Sequence, residues 1–168
     1  MESLTSSKIA RLLTDAYPGL TAQQWEQRLV EAVGLDHITG LPTRAAFEAK
    51  AAEMLELARR TGSKLYISMI DADGLKAAND AFGHQAGDRL LADLAAEIVS
   101  KVRKSDYVAR IGGDEFAVLS IAAEEPRKPE LSNGSYGCAE VSTTIAQALD
   151  SADREMYTDK IARKAQRK

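Results

Sequence analysis

Residues 109–119, ARIGGDEFAVL, read as a strand, a tight turn and a second strand. Apolar residues lie on both sides of the turn, and two glycines directly precede Asp114 and Glu115. Glycine tolerates a positive φ in a tight hairpin and lets another group approach the backbone closely. Acidic residues at a turn are often simply solvated, so this stretch alone leaves the role of the two carboxylates open.

A third carboxylate follows a separate apolar run. Residues 64–70, KLYISMI, have the length of a strand that is buried on both faces, and Asp71 comes directly after them. If the hairpin lies beside this strand, Asp71 lies close to Asp114 or Glu115 at one edge of the sheet. Carboxylates that close together repel, and a divalent cation such as Mg²⁺ removes the conflict. The two segments together therefore predict a metal site.

Length and composition indicate one domain with a short accessory segment. The chain has 168 residues, of which 45% are hydrophobic and 28% charged, and its formal net charge is -3. This negative balance argues against a nucleic-acid surface. With no apolar run long enough for a bilayer and no signal peptide, we expect a cytoplasmic protein without membrane contact. The single cysteine, Cys138, is expected to be a small buried residue.

Helical and strand patterns alternate along the chain, which is typical of an α/β domain. We expect an N-terminal helical extension in residues 1–34, with a capping box formed by Thr21 and Gln24, and a main domain in residues 35–168. The main domain is predicted to hold helices at 43–60, 75–81 and 86–103, a strand at 135–141, and a last helix capped by Ser142 or Thr143.

Four motifs in this order resemble the GGDEF diguanylate cyclase domain. They are DHITGLPTR at 36–44, DADGLKAANDAFGHQAGD at 71–88, RIGGDEF at 110–116 and ADREMYTDK at 152–160. Each motif alone is weak, but four in the correct order and spacing are specific. The resemblance implies a palm-like, nucleotidyl cyclase-type central sheet flanked by helices. It also implies an enzyme that condenses two GTP into cyclic di-GMP and releases two pyrophosphates.

The resemblance further implies a metal centre and a dimer. Asp71, Asp114 and the backbone carbonyl of Ala72 would bind Mg²⁺, or Mn²⁺ in its place. Asp114 would be the general base, and Glu115 would support the same centre. Each domain would hold one GTP, so the active species would be at least a transient homodimer. The N-terminal helices, including Trp25, could form the dimer contact or could pack on their own domain.

A larger set of positions matches the substrate site of the family. The implied substrate-binding residues are Leu75, Lys76, Asn79, Asp88, Gly112, Gly113, Lys160 and Lys164. Asn79 and Asp88 match the guanine-reading positions, and a carboxylate accepts from N1 and N2 of guanine, a pattern that adenine lacks. Lys164 stands where the family usually has arginine, which keeps the charge but loses bidentate geometry.

Residues 103–106, RKSD, resemble the product-inhibition site of the same family. Arg103 could donate two hydrogen bonds to a guanine or phosphate of cyclic di-GMP, and Asp106 could accept from guanine. The alternative is an ordinary charged helix end. The secondary arginine that usually completes this site has no counterpart, so inhibition is expected to be weaker or differently arranged.

The chain departs from the family pattern after Phe116. Only 18 residues separate Phe116 from Ser135, where the family normally has a helix and further hairpin structure. Residues 124–134, EEPRKPELSNG, can hold only a loop, so we expect one face of the sheet to need cover from the N-terminal helices, a second subunit or a protein partner. The first expectation is an active cyclase. The alternatives are a non-catalytic receptor for cyclic di-GMP or GTP, and a pure interaction module.

Overall fold

The computed structural model describes residues 14–15, 19–21, 24–25 and 34–166. The regular elements in these ranges are α1 (Arg44–Thr61), β1 (Lys64–Ala72), α2 (Leu75–Phe82), α3 (His84–Lys101), β2 (Tyr107–Arg110), β3 (Glu115–Ala122), β4 (Gly134–Glu140) and α4 (Ile145–Gln166). None of the described helices combines the length and the apolar character that a membrane span requires.

The four strands form one sheet in the order β2-β3-β1-β4, and every neighbouring pair is antiparallel. The predicted hairpin of β2 and β3 is therefore confirmed, and β1 lies at its side. In an antiparallel pair the end of one strand meets the beginning of the next. Asp71 at the end of β1 is accordingly in register with Glu115 at the beginning of β3 and with Ser135 near the beginning of β4.

Alternating residues of the sheet pack against two separate layers of cover. Leu65, Ile67 and Met69 of β1 face a core that includes Phe47 of α1 and Ala152 of α4. The residues between them face α3 and the segment that precedes β4. From Leu65 to Ala72, β1 is buried throughout, which confirms the prediction of a strand covered on both faces.

Residues 123–133 contain no helix or strand, as the sequence indicates. The sheet face beneath them is nevertheless covered, because α3 supplies Leu94 and Ile98 and the segment itself supplies Leu131, which is 6% exposed. The described chain thus buries this face without the external cover that we expected. Cys138 lies on the same face and is buried, and burial raises the pKa of its thiol.

The helix termini agree with the sequence to within a few residues. α3 begins at His84 and ends at Lys101, two residues before the positions expected at each end. The prediction that Ser142 or Thr143 caps α4 is wrong. The Oγ1 atom of Thr144 accepts from the backbone N–H of Gln147 at 3.2 Å, so Thr144 caps this helix.

Part of the N-terminal extension can be assessed. The backbone N–H of Thr21 donates to Oε1 of Gln24 at 2.8 Å, and the N–H of Gln24 donates to Oγ1 of Thr21 at 3.3 Å. These reciprocal bonds confirm the predicted capping box. The rest of the expected helical hairpin lies outside the described residues.

Candidate functional site

The predicted acidic residues meet where β1 ends. Asp71 is 8% exposed and pairs in register with Glu115. One residue further, the backbone N–H of Ala72 donates to the carbonyl oxygen of Asp114 at 2.8 Å. The antiparallel pairing of β1 and β3 therefore brings Asp71, Ala72, Asp114 and Glu115 to one edge of the sheet.

Asp71 and Lys160 form an ion pair at this edge, with Nζ of Lys160 2.6 Å from Oδ1 of Asp71. Burial raises the pKa of Asp71, the hydrogen bond from Lys160 opposes this, and the charges of Asp114 and Asp73 add to the increase. The net pKa of Asp71 is raised. Burial alone would lower the pKa of Lys160, but the bond to Asp71 and the charges of Asp114 and Asp73 outweigh it, so that pKa is also raised.

The donor atoms of this edge fit a divalent cation. Asp71, Asp114 and the carbonyl of Ala72 offer oxygen atoms, which Mg²⁺ prefers. The charge of Asp114 disfavours ionisation of Asp71, and the ammonium group of Lys160 already balances part of that charge. No group of three or more His, Cys, Asp or Glu side chains within the described residues is arranged to hold a metal ion. Water or substrate phosphate would therefore have to complete the coordination.

The two glycines before Asp114 have different surroundings, and neither adopts the positive φ that we expected. A Cβ atom on Gly112 would collide with the carboxylate of Glu115, whereas a Cβ on Gly113 would meet nothing within 4 Å. A side chain at position 112 would thus make the Glu115 side chain move, and neither glycine is needed for a strained turn. Burial, followed by the charge of Asp114, raises the pKa of Glu115.

A cavity of about 510 Å³ adjoins the acidic edge. Its lining includes three carboxylates, those of Asp73, Asp80 and Asp114, and four cationic side chains, namely those of Lys76, Lys160, Arg163 and Lys164. The first residues of α2, Leu75 included, also line it, and α2 follows Gly74, whose φ is +83°. Clustered cations beside a helix N-terminus favour phosphate groups. The cavity therefore combines an acidic edge with a surface suited to polyphosphate.

The predicted guanine-reading residues lie apart from this cavity, at the junction of α2 and α3. The Oδ1 atom of Asn79 is buried without a hydrogen-bond partner in the described part of the chain. It packs so tightly against Gly87 that a Cβ there would collide with it. Asp88 follows Gly87 and is exposed on α3. A buried acceptor without a partner is costly, and a donor supplied by a ligand would offset that cost.

Two residues that our sequence reading did not single out support the acidic edge. Asp73 is 7% exposed; its Oδ1 atom accepts from Oγ of Ser135 at 2.8 Å, and Nε of Arg163 lies 3.3 Å from its Oδ2 atom. Arg163 also donates to the carbonyl oxygen of Leu131 at 2.9 Å. The spacing of Asp71 and Asp73 was visible in the sequence, but nothing local pointed to Arg163.

Arg110 links the hairpin turn to the motif at residues 36–44. Arg110 donates from Nη1 to both carboxylate oxygens of Asp36, at 2.9 and 3.0 Å, and from Nη2 to the carbonyl oxygen of Gly113 at 2.7 Å. Burial would raise the pKa of Asp36, but hydrogen bonds from Thr39 and Arg110 lower it overall. The motif at 36–44 therefore contacts the turn that carries Asp114.

Arg103 and Asp106 lie in one turn after α3. The backbone N–H of Arg103 donates to Oδ2 of Asp106 at 2.9 Å, and the Oδ1 atom of Asp106 is buried without a partner among the described residues. The Arg103 residue is exposed. The two residues predicted to bind product are thus joined within one turn.

Comparison with known proteins gives consistent matches. The model of the diguanylate cyclase GGDEF domain matches residues 33–129, more than half of the chain. Diguanylate cyclase TpbB of Pseudomonas aeruginosa is 42% identical over 104 residues, which represent 58% of this chain and 24% of TpbB. The solved GGDEF domain of TpbB has a TM-score of 0.66 at 34% identity, covering 76% of this chain and 89% of that chain.

A further solved structure is diguanylate cyclase SiaD of P. aeruginosa in complex with its activator SiaC. It has a TM-score of 0.67 at 27% identity and covers 92% of this chain and 68% of that chain.

The chain spans about a quarter of the length of TpbB. The matched range of residues 33–129 contains β1, α2, α3 and the β2-β3 hairpin, and hence Asp71 and Asp114. It ends within the shortened segment before β4. Together with the four-stranded antiparallel sheet flanked by helices, the match identifies the family: the chain belongs to the GGDEF domain family of diguanylate cyclases.

Proposed function

We propose that the protein is a diguanylate cyclase that joins two GTP molecules into cyclic di-GMP. The 3′-oxygen of one GTP attacks the α-phosphorus of the other and pyrophosphate leaves; a second such step closes the ring. The observation that carries the proposal is the convergence of Asp71, Asp114 and Lys160 at the end of β1, beside the cationic cavity.

In this proposal Asp71, Asp114 and the carbonyl of Ala72 hold Mg²⁺, for which Mn²⁺ can substitute. The bound cation would favour ionisation of the 3′-hydroxyl and neutralise the leaving pyrophosphate. Asp114 accepts the proton of the attacking hydroxyl, and Glu115 maintains the negative charge of the centre. The ion pair of Asp71 with Lys160 at 2.6 Å must loosen when the cation and substrate enter, which frees the ammonium group for phosphate.

Substrate selection is assigned to the junction of α2 and α3. Asn79 and Asp88 would accept from the N1 and N2 donors of guanine, and the buried, unpartnered Oδ1 of Asn79 supports a ligand at this place. Lys76 and Lys164 line the cavity and would contact the phosphates together with Lys160, while Leu75 bounds the nucleotide. Gly113, which has open space around it, would admit the nucleotide beside the turn.

The reaction requires two subunits, because one domain is proposed to hold one GTP. The 3′-hydroxyl of each nucleotide must face the α-phosphate of the other, so two such sites meet face to face in a homodimer. This contact needs to persist only for the duration of catalysis.

The test is direct: purified full chain is incubated with GTP and Mg²⁺, and the nucleotides are separated by chromatography. We expect cyclic di-GMP and pyrophosphate, loss of product with Asp114→Asn, and normal turnover with Asp93→Asn, a matched change at an exposed carboxylate of α3. No cyclic di-GMP from folded, concentrated protein would overturn the proposal. An Asp114→Asn variant as active as the wild type would refute the metal assignment.

A second candidate is a non-catalytic receptor for cyclic di-GMP. It is favoured by the turn in which the exposed Arg103 lies beside a buried, unpartnered acceptor atom of Asp106. Guanine could supply donors to Asp106 while Arg103 binds the base or a phosphate. This function predicts binding of cyclic di-GMP that is lost in Arg103→Ala and that occurs without any turnover of GTP.

A further inference from the structure

The four cations that line the cavity beside the acidic edge differ in how they are held. Lys76 and Lys164 are exposed residues, and Lys160 is bound to Asp71. The side chain of Arg163 is only 23% exposed, and it lies between the acidic edge and the segment that precedes β4. Arg163 is the one cation of this lining to which the proposed cyclase reaction gives no role.

The guanidinium group of Arg163 is fixed from two sides. Its Nε atom lies 3.3 Å from Oδ2 of the buried Asp73, whose other carboxylate oxygen accepts from the hydroxyl of Ser135 at 2.8 Å. Its Nη2 atom donates to the carbonyl oxygen of Leu131 at 2.9 Å and lies 3.5 Å from that of Ser132. A planar group that is already held in place loses less conformational freedom on binding a ligand than a flexible lysine does.

One nitrogen atom of this group remains available to a ligand. The contacts with Asp73 and Leu131 use Nε and Nη2, and Nη1 makes no hydrogen bond within the described part of the chain. Because the side chain lines the cavity, the two N–H groups of Nη1 can donate to an anion bound there. Lys164 lines the same cavity, but an ammonium group is a point charge without the fork geometry of a guanidinium.

We propose that Arg163 binds the terminal phosphate of GTP and makes the site select triphosphate over diphosphate nucleotides. This inference rests on the proposed function, in which the α-phosphorus reacts beside Asp71 and Asp114. Lys160 contacts Asp71 at that place, whereas Arg163 lies about 4.5 Å further along α4 and contacts Asp73. It therefore reaches toward the phosphates that leave as pyrophosphate, and the terminal one offers its donors the most charged oxygen atoms.

The test measures the binding of 3′-deoxy-GTP and 3′-deoxy-GDP to the full chain by calorimetry in the presence of Mg²⁺. Neither probe has the 3′-hydroxyl that attacks in the proposed reaction, so turnover does not disturb the measurement. We expect the wild type to bind the triphosphate about tenfold more tightly than the diphosphate. Arg163→Gln should lower the affinity for the triphosphate about tenfold and that for the diphosphate less than about threefold. The matched control, Arg154→Gln at an exposed position of the same helix, should change neither affinity.

A purely structural role of Arg163 predicts a different pattern, because a distorted site would weaken the binding of both nucleotides alike. Arg163→Lys keeps a cation beside Asp73, but one ammonium group cannot also contact Leu131 and a phosphate, so this variant should still lose most of the preference for the triphosphate. It decides the question if Arg163→Gln fails to fold. The proposal is overturned if the wild type shows no preference, if folded Arg163→Gln loses both affinities equally, or if Arg163→Lys keeps the full preference. A preference that depends on Arg163 supports the inference even if chromatography detects no cyclic di-GMP, so its failure and that of the cyclase proposal are distinguishable.

Discussion

The ion pair between Asp36 and Arg110 should contribute measurably to stability, because both side chains are largely buried. Arg110 is 10% and Asp36 16% exposed, and the guanidinium group contacts both carboxylate oxygens. Breaking a fully buried pair costs about 3–5 kcal/mol. Asp36 retains two hydrogen bonds from Thr39, so we expect Asp36→Asn to cost about 2 kcal/mol. Arg110→Met should cost about 3 kcal/mol, because Gly113 also loses its donor.

A double-mutant cycle isolates the pair from these other contacts. The free energy of unfolding is measured by urea denaturation at pH 7 for the wild type, both single variants and the double variant. We expect a coupling energy of about 2 kcal/mol, with little dependence on salt because the pair is shielded from solvent. The matched control is the exposed pair of Lys50 and Glu53 on α1, for which the coupling should be about 0.3 kcal/mol.

The pH dependence gives an independent check on the same pair. The folded-state pKa of Asp36 is lowered, so its contribution is fully present above the unfolded pKa of about 3.9 and is lost as the pH falls through the lower, folded value. The stability difference between the wild type and Asp36→Asn should therefore shrink below pH 4. A coupling energy under about 0.5 kcal/mol at pH 7 would refute the reasoning, since exposed pairs reach that value.

Three further predictions concern the acidic edge. Gly112→Ala should destabilise the fold by at most about 1 kcal/mol in urea, because the flexible Glu115 side chain can move away from the added Cβ, whereas Gly113→Ala should stay within about 0.5 kcal/mol; a larger loss for Gly113→Ala than for Gly112→Ala would contradict this. Arg163→Met should lower the free energy of unfolding by about 2–3 kcal/mol, because the buried Asp73 loses its cation. Arg154→Met on the same helix serves as the exposed control, and equal stability of the two variants would contradict a stabilising contact between Arg163 and Asp73. Lys160→Met should lower kcat/KM for GTP by about 10²-fold in the chromatographic assay, and unchanged turnover would remove Lys160 from the proposed site.

Local sequence pattern predicted the elements of this fold better than their contacts. Residues 64–70 were recognisable as a buried strand because apolar residues dominate them, and the hairpin because two apolar runs flank two glycines. Neither pattern predicts the order of the strands in the sheet. Asp71 was placed near Asp114 by a rule for the carboxyl ends of parallel strands, but an antiparallel register brings them together.

The reasons behind individual residues were harder to predict. Gly112 looked like a turn residue with positive φ, yet its φ is not positive, and a side chain there would meet the side chain of Glu115 three residues further on. Arg163 lies in the last helix, far from Asp73 in the sequence, so no local spacing predicts the contact. Lys160 was assigned to phosphate through the family resemblance alone, and its bond to Asp71 became visible only in three dimensions.

The segment between β3 and β4 supports the acidic edge. Its last residues attach to that edge and to α3: the carbonyl oxygen of Asn133 accepts from the N–H of Asp73 at 2.8 Å, Arg163 donates to the carbonyl oxygen of Leu131, and Glu97 of α3 accepts from the N–H and hydroxyl of Ser132. The first half of the segment, which includes Pro126 and Pro129, instead lines a cavity beside Arg103 and Asp106. Changes at residues 131–133 should therefore reach Asp71 and the proposed metal site.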